Sequence, residues 1–178
     1  MVEYFCKGKL VQLRDVTPDD APLILKWKND PLVRKMAIGK SSTINLKEQL
    51  EDIKQAVESS RQVYYIIEVS ETDRAVGYIR INWMDEDRRF GWLRLAMGEQ
   101  RGKGYMKDAL NALLTKLFAE SLHRMDAEVY DFNEACLNML KKIGFVVEGI
   151  KREAHYDDDR YFNVVTLGLI RTDFMAGE

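Results

Sequence analysis

Cysteine is almost absent from this chain. Cys6 and Cys136 are the only two, too few for a disulfide framework. Histidine is as scarce: His123 and His155 stand far apart, no His/Cys spacing suggests zinc, and no metal is expected. A strong charge of one sign is missing too. The formal charge is −2, so no global basic field draws the protein to nucleic acid. No apolar run is long enough to span a bilayer, so no membrane partner is expected. The first residues, MVEYFCKGKL, lack the charged, apolar, small-residue order of a signal peptide, and a cytoplasmic location is the expectation. What remains is a chain of 178 residues, 46% of them hydrophobic. That is enough for a single domain over 1–178 with a sizeable core.

Hydrophobic spacing predicts the elements. LVQLR (10–14) alternates like a strand. In DVTPDDAPLILKWKND, Thr17 suits a helix cap and Pro18 its first position, while Leu23, Ile24 and Trp27 form an apolar face. Asn29-Asp30-Pro31 breaks that helix, and a short helix over 32–36 follows. Residues 39–45 read as a loop. Asn45 with Glu48 resembles a capping box ahead of a helix carrying Leu46, Leu50, Ile53 and Val57. VYYIIEV (63–69), AVGYIRINW (75–83) and FGWLRLAM (90–97) read as strands with short links, an antiparallel meander. A helix with the stripe Met106, Ala109, Leu110, Leu113, Leu114, Leu117 and Phe118 comes next. MDAEVY (125–130) is a strand, FNEACLNMLKKIGF holds a helix closed by Gly144, and 145–154 and 160–170 are late strands. The order predicts an α/β (α+β) fold. It is a mixed, mostly antiparallel sheet with helices on both faces and one parallel crossover.

That crossover contains the most informative stretch, EQRGKGYMKDAL (99–110). A strand ending in a glycine turn and then a helix leaves backbone N–H groups free at the helix start, where they and the helix dipole favour an anion such as a pyrophosphate. A P-loop needs four residues between its glycines; Gly98 and Gly102 have three, so that motif fails. The dinucleotide fingerprint needs a third glycine where Lys107 stands, and fails as well.

Glu99-Gln100-Arg101-Gly102-Lys103-Gly104 resembles the acyl-CoA pyrophosphate loop of the GNAT N-acetyltransferase superfamily, Gln/Arg-x-x-Gly-x-Gly/Ala. Glu99 departs from its first position, with Arg101 as the expected compensation. Asn133 to Cys136, through Lys142-Ile143-Gly144-Phe145, resembles the family's Asn-x-x-Ser/Ala…Gly-Phe segment. Trp27 to Arg34 is similar to the branch holding ribosomal-protein, spermidine and amino-sugar-nucleotide acetyltransferases. The resemblance implies direct acetyl transfer in a ternary complex, from acetyl-CoA as cosubstrate to a primary amine. An amino-sugar nucleotide and a protein N-terminal amine are the favoured acceptors, and a homodimer is the implied assembly. It implies CoA contacts from Leu95, Ala96, Met97, Arg101, Gly102, Lys103, Gly104, Tyr105, Asn133 and Lys142. Asn133 is equally an N-cap, and Lys142 equally suits the helix dipole.

The reaction needs a base, because an alkyl amine is mostly protonated at neutral pH. Glu128, a carboxylate inside a strand between Ala127 and Val129, is the candidate; Glu68 is the rival, and a water relay needs neither. The thiolate needs an acid. Leu140 stands where the family often has a tyrosine, leaving Tyr130 or Tyr105, or more weakly Cys136, as substitutes. That gap keeps open a second expectation, a CoA-binding sensor without efficient catalysis. On the acceptor side Trp83, Trp92, His155 and Tyr156 are candidates for stacking, and Asp157 to Asp159 for a cationic acceptor or simply a solvated hairpin tip.

Overall fold

The computed structural model describes residues 3–39 and 43–176; residues 40–42 of the expected loop lie outside the described residues. Eight strands form one sheet: β1 (Cys6–Lys7), β2 (Val11–Asp15), β3 (Gln62–Val69), β4 (Arg74–Trp83), β5 (Phe90–Met97), β6 (Arg124–Tyr130), β7 (Val146–Asp157) and β8 (Arg160–Ile170). Their spatial order is β1-β2-β3-β4-β5-β6-β8-β7. Only β5 and β6 run parallel among the paired strands.

Helices cover both faces, as the alternation in β3 requires. Tyr65, Ile67 and Val69 point into a core shared with helix α4 (Tyr105–Ala119) and helix α5 (Glu134–Ile143). Tyr64 and Ile66 point to the other face, against α1 (Ala21–Asn29) and α3 (Leu46–Glu58). A strand buried on both sides reads as a continuous apolar run, as YYII (64–67) does, with Glu68 the one charge before Val69. The α4 stripe is buried along its whole length, each large side chain contributing about 1.5–3 kcal/mol.

Local chemistry sets the boundaries. Asp20 takes the Arg14 fork at 2.8 Å on each oxygen and the Thr17 N–H at 2.8 Å, so a 3-10 turn (Pro18–Asp20) precedes α1. The Asn45–Glu48 capping box is made in both directions. Asp30 accepts from Leu32 and Val33 and starts the short helix α2 (Pro31–Val33). A π-helical turn (Arg34–Ile38) follows, stopped by Gly39 at φ 65°. Gly144 closes α5 in the left-handed region. The β7–β8 connection is a tight turn with Asp158 and Asp159 both at positive φ, the geometry of a type I′ hairpin. The three aspartates therefore form a hairpin tip.

Two elements had no expectation. β1 is two residues long, and α6 (Arg171–Ala176) packs Phe174 on Phe118 at 5.1 Å. The β1–β2 turn is held by Asp108 in the first turn of α4, whose carboxylate accepts from Lys9, Leu10 and Val11 at 3.1, 2.7 and 3.1 Å. Any side chain on Gly8 would collide with that carboxylate. Asp108→Ala strands three backbone donors, and we expect a loss of about 1–3 kcal/mol, read as a lower midpoint in urea or thermal unfolding.

Candidate active site

The ladder between β5 and β6 stops early. It runs from Phe90–Arg124 to Leu93–Ala127, while β5 stays on β4 as far as Met97 and β6 stays on β8 as far as Tyr130. Past Leu93 the two strands part, and a slot opens between 94–97 on one side and 128–130 on the other. The Ala96 carbonyl lies against Gly77 of β4, and the Gly98 N–H donates to Val76. Alternation then turns the Leu95 and Met97 main-chain groups toward the slot. The three strand residues are thus split: Leu95 and Met97 offer backbone groups to the slot, and Ala96 bonds toward β4.

The glycine turn sits at the end of that slot. Gly102 and Gly104 hold φ of 80° and 81°, and an added Cβ at either would meet no protein atom. No side chain caps α4. Among the described residues, none accepts a hydrogen bond from the amides of Gly104, Tyr105, Met106 and Lys107. Four unpaired donors at the positive end of a fifteen-residue helix fit a diphosphate. Tyr105 packs on the core beside them, and Lys103 is exposed.

Arg101 is differently employed than expected. Its Nε donates to the Met97 carbonyl at 3.1 Å and its Nη2 reaches Asp30 at 3.4 Å. Glu99 is not among its partners. That carboxylate is met by Arg74 at 2.5 Å and Lys26 at 3.2 Å, and these hydrogen bonds, from Arg74 first, hold it below the usual carboxylate range. Gly98 lies flat on the Trp27 indole, which fixes α1 beneath the turn.

Asn133 is the N-cap of α5: Oδ1 accepts from the Cys136 N–H at 3.2 Å and Nδ2 donates to the Met36 carbonyl at 3.1 Å. Lys142 is exposed in the last turn of α5, well placed for the helix dipole. Cys136 is half-buried, and burial pushes its thiol up to about 11, which makes it a poor proton donor near neutrality. Leu140 is 1% exposed within the core and brings no polar group to the slot.

Glu128 and Tyr130 follow each other on one face of β6, with Ala127 and Val129 in the core behind. Glu128 opens onto a pocket of about 340 Å³ shared with Trp92, Asp126, Glu148 and Thr166. Its Oε1 accepts from Lys151 at 2.5 Å. Arg124 bonds Asp126 at 2.7 Å and forks onto Glu148, reaching across β8 where Gly168 leaves room. Tyr130 stacks on His155 at 4.1 Å and on Phe132 at 5.3 Å. Burial, then Asp157 and Glu128, raise its pKa, so it keeps its proton at neutral pH. A methyl group on Gly39 would fall 1.9 Å from its hydroxyl, so the π-turn closes directly over it.

Other candidates separate cleanly. Glu68 is buried on β3 and bonded by Arg14 at 2.6 Å and Tyr4 at 3.2 Å, with β4 and β5 between it and the slot. Trp83 is core, 4% exposed. Tyr156 is exposed and pairs with Tyr161. Sequence reading passed over Lys28 on α1, and over Arg80, Arg94 and Lys151, although a charged residue inside a strand is the signal that singled out Glu128. Among the described residues no group of three or more His, Cys, Asp or Glu could hold a metal ion, and no helix is long and apolar enough to cross a membrane.

Comparison with known proteins bears on the same features. The family model for the acetyltransferase (GNAT) domain matches residues 11–146. The chain is 26% identical to the SPbeta prophage-derived uncharacterized N-acetyltransferase YokL of Bacillus subtilis, covering 98% of this chain and 97% of that one. It is 23% identical to the uncharacterized N-acetyltransferase p20 of Bacillus licheniformis, over 91% and 93%. Among solved structures, a spermidine N-acetyltransferase from Vibrio cholerae in complex with CoA and spermine superposes with a TM-score of 0.85 at 18% identity, over 94% of this chain and 99% of that one. RimL, a ribosomal L7/L12 alpha-N-protein acetyltransferase in complex with CoA, gives 0.83 at 18%, over 94% and 98%.

The turn can be tested directly. Gly104→Val forces a branched residue into positive φ and puts a side chain over the free amides. We expect CoA affinity, measured by calorimetry, to fall by about tenfold or more, since strain of about 1–2 kcal/mol adds to the lost access. The unpaired helix start, the parted strands and the family match over 11–146 lead to one conclusion: the chain belongs to the GNAT acetyltransferase family and is an acetyl-CoA-dependent N-acetyltransferase.

Proposed function

We propose that this enzyme moves the acetyl group directly to a primary amine of an amino-sugar nucleotide or a protein N-terminus, in a ternary complex, with residues 1–178 as one catalytic domain. The observation that carries the reading is the slot itself. Unpaired amides lie at one end, beyond Met97, and a carboxylate opens at its mouth, at Glu128. Acetyl-CoA supplies the thioester; the amides of 104–107 suit its diphosphate, and the freed edge of β5 suits its arm.

Glu128 takes the proton from the acceptor ammonium. Lys151 now occupies the position at 2.5 Å that such an ammonium would take, so acceptor binding exchanges one ammonium for another at the same carboxylate. One of the Leu95 and Met97 N–H groups donates to the tetrahedral oxyanion and the other to the pantetheine arm, fixed dipoles that need no reorganisation. Tyr130 donates to the departing thiolate, which its retained proton allows. Asp126 and Glu148 add negative charge around the amine, although Arg124 neutralises part of it.

Glu128→Gln is expected to lower kcat by about 100-fold or more at neutral pH, followed as thiol release from acetyl-CoA with a panel of amines. The deficit should shrink as pH approaches about 10, where the amine loses its proton unaided. A variant as fast as the parent at pH 7 would transfer the base role to a water relay. Tyr130→Phe should cost about tenfold in kcat with the KM for acetyl-CoA nearly unchanged; unaltered kcat would remove Tyr130 from the reaction.

A further inference from the structure

On the face covered by α1 and α3, two cations share one carboxylate, and a third cation stands beside them. Arg80 Nη1 bonds both oxygens of Asp52 at 2.8 Å, and Lys28 Nζ bonds the same group at 2.9 Å. Asp52 is thereby committed twice. Arg94, register partner of Arg80 on the next strand, has no carboxylate among the described residues. Its one hydrogen bond goes to Asn82 Oδ1 at 2.7 Å, and its guanidinium lies over the Trp92 ring at 5.4 Å. A guanidinium carries five N–H donors, so most of this one is unspent. Arg94 is an exposed residue; partial burial and then Arg80 act against its charge, and Asp52 offsets part of this.

Its location gives that charge a purpose. Arg94 is the first residue of β5 beyond the last pair with β6, Leu93–Ala127, and Glu128 is the first residue of β6 beyond it. Both follow the same alternation, so they lie side by side on one face at the narrow end of the slot, where the strands begin to part from a spacing of about 5 Å. Trp92, under the guanidinium, lines the pocket that Glu128 opens onto. An acceptor whose amine sits at Glu128 brings its neighbouring atoms within reach of Arg94.

We infer that Arg94 is a specificity-determining residue that binds an oxyanion of the acceptor, so that the substrate is an amine bearing a carboxylate or phosphate close by, and not a polycation. This rests on the reading that the amine is held at Glu128. Arg80 and Lys28 lie beneath Arg94 and add to the field without touching the anion.

The test compares kcat/KM for acetyl transfer within matched pairs: glycine and methylamine, O-phosphoethanolamine and ethanolamine, glucosamine 6-phosphate and glucosamine, with spermidine as the polycation. Carboxylate and phosphate arms distinguish the two sources of the anion. At least one acidic member should exceed its neutral partner by about tenfold or more, the size of a charge-assisted hydrogen bond. Arg94→Gln should bring that ratio to about one, and Arg94→Lys should keep much of it, since it keeps the charge and loses the fork. Equal rates in every pair, a preference for spermidine, or a ratio that survives Arg94→Gln would overturn the proposal. Failure of the amine-transfer reading looks different: no amine releases thiol. In that case inorganic phosphate titrated into the CoA-saturated protein decides alone. Binding weakened by Arg94→Gln supports the anion site, and binding that ignores the substitution removes it.

Discussion

The early end of the β5–β6 ladder is the constraint on which the rest of the molecule is arranged. Backbone groups in a sheet are ordinarily consumed by their neighbours, and leaving them unpaired inside a protein costs free energy. Here the parallel pair closes at Leu93–Ala127, and the edges beyond it are left to a ligand. The separation is not a local accident. β5 is anchored to β4 through Met97, β6 is anchored to β8 through Tyr130, and α4, fifteen residues long, fills the apolar face behind both. A chain whose β5 was less committed to β4 would close the gap and satisfy its amides internally.

A second arrangement couples the two ends of the slot. Asp30 caps α2, and the same carboxylate oxygen meets Arg101 of the glycine turn. Glu99, one step before that turn, is tied to the start of β4 and to α1. Asn133 caps α5 and also reaches the Met36 carbonyl in the π-turn, whose end at Gly39 lies over Tyr130. The segment of α2 and the π-turn is therefore bonded to the glycine turn and to the N-cap of α5, and it lies over the end of β6. Each contact is exposed or half-buried and individually modest. Their value is in direction: a ligand that orders the turn also fixes where α2 and the π-turn stand.

Periodic features were legible in the sequence, and features that depend on distant partners were not. The α4 stripe, the Asn45–Glu48 box, the Gly144 stop and the meander over 63–97 each carry their signal within a few residues, and the structure follows them. β1 carries none; it exists because Asp108, about a hundred residues away, collects the amides beside it. The order β6-β8-β7 rests on long-range ladders, with Arg124 meeting Glu148 across Gly168, a three-strand relation without a local pattern. At the site, the glycine turn was legible because a positive-φ backbone demands glycine. The contacts of Arg101 to Met97 and Asp30 were not legible, because Asp30 lies about seventy residues away in the chain. Arg94 carries the same local signal as Glu128, a charge within a strand; what sets it apart is that it hydrogen-bonds Asn82 and no carboxylate, which only the assembled sheet reveals.

The charges around the slot follow one logic. Carboxylates gather on β6 and β7 at Asp126, Glu128 and Glu148, and cations on β4 and β5 at Arg80 and Arg94, with Lys28 behind. Opposite charges this near would normally pair, yet Glu128 takes Lys151 from the outer strand, and Arg94 takes only the Asn82 amide. A direct Arg94–Glu128 bridge would quench both groups and seal the mouth of the slot. Holding them on diverging edges preserves a dipole across the opening, negative on the β6 side and positive on the β5 side, which a ligand of the opposite polarity completes.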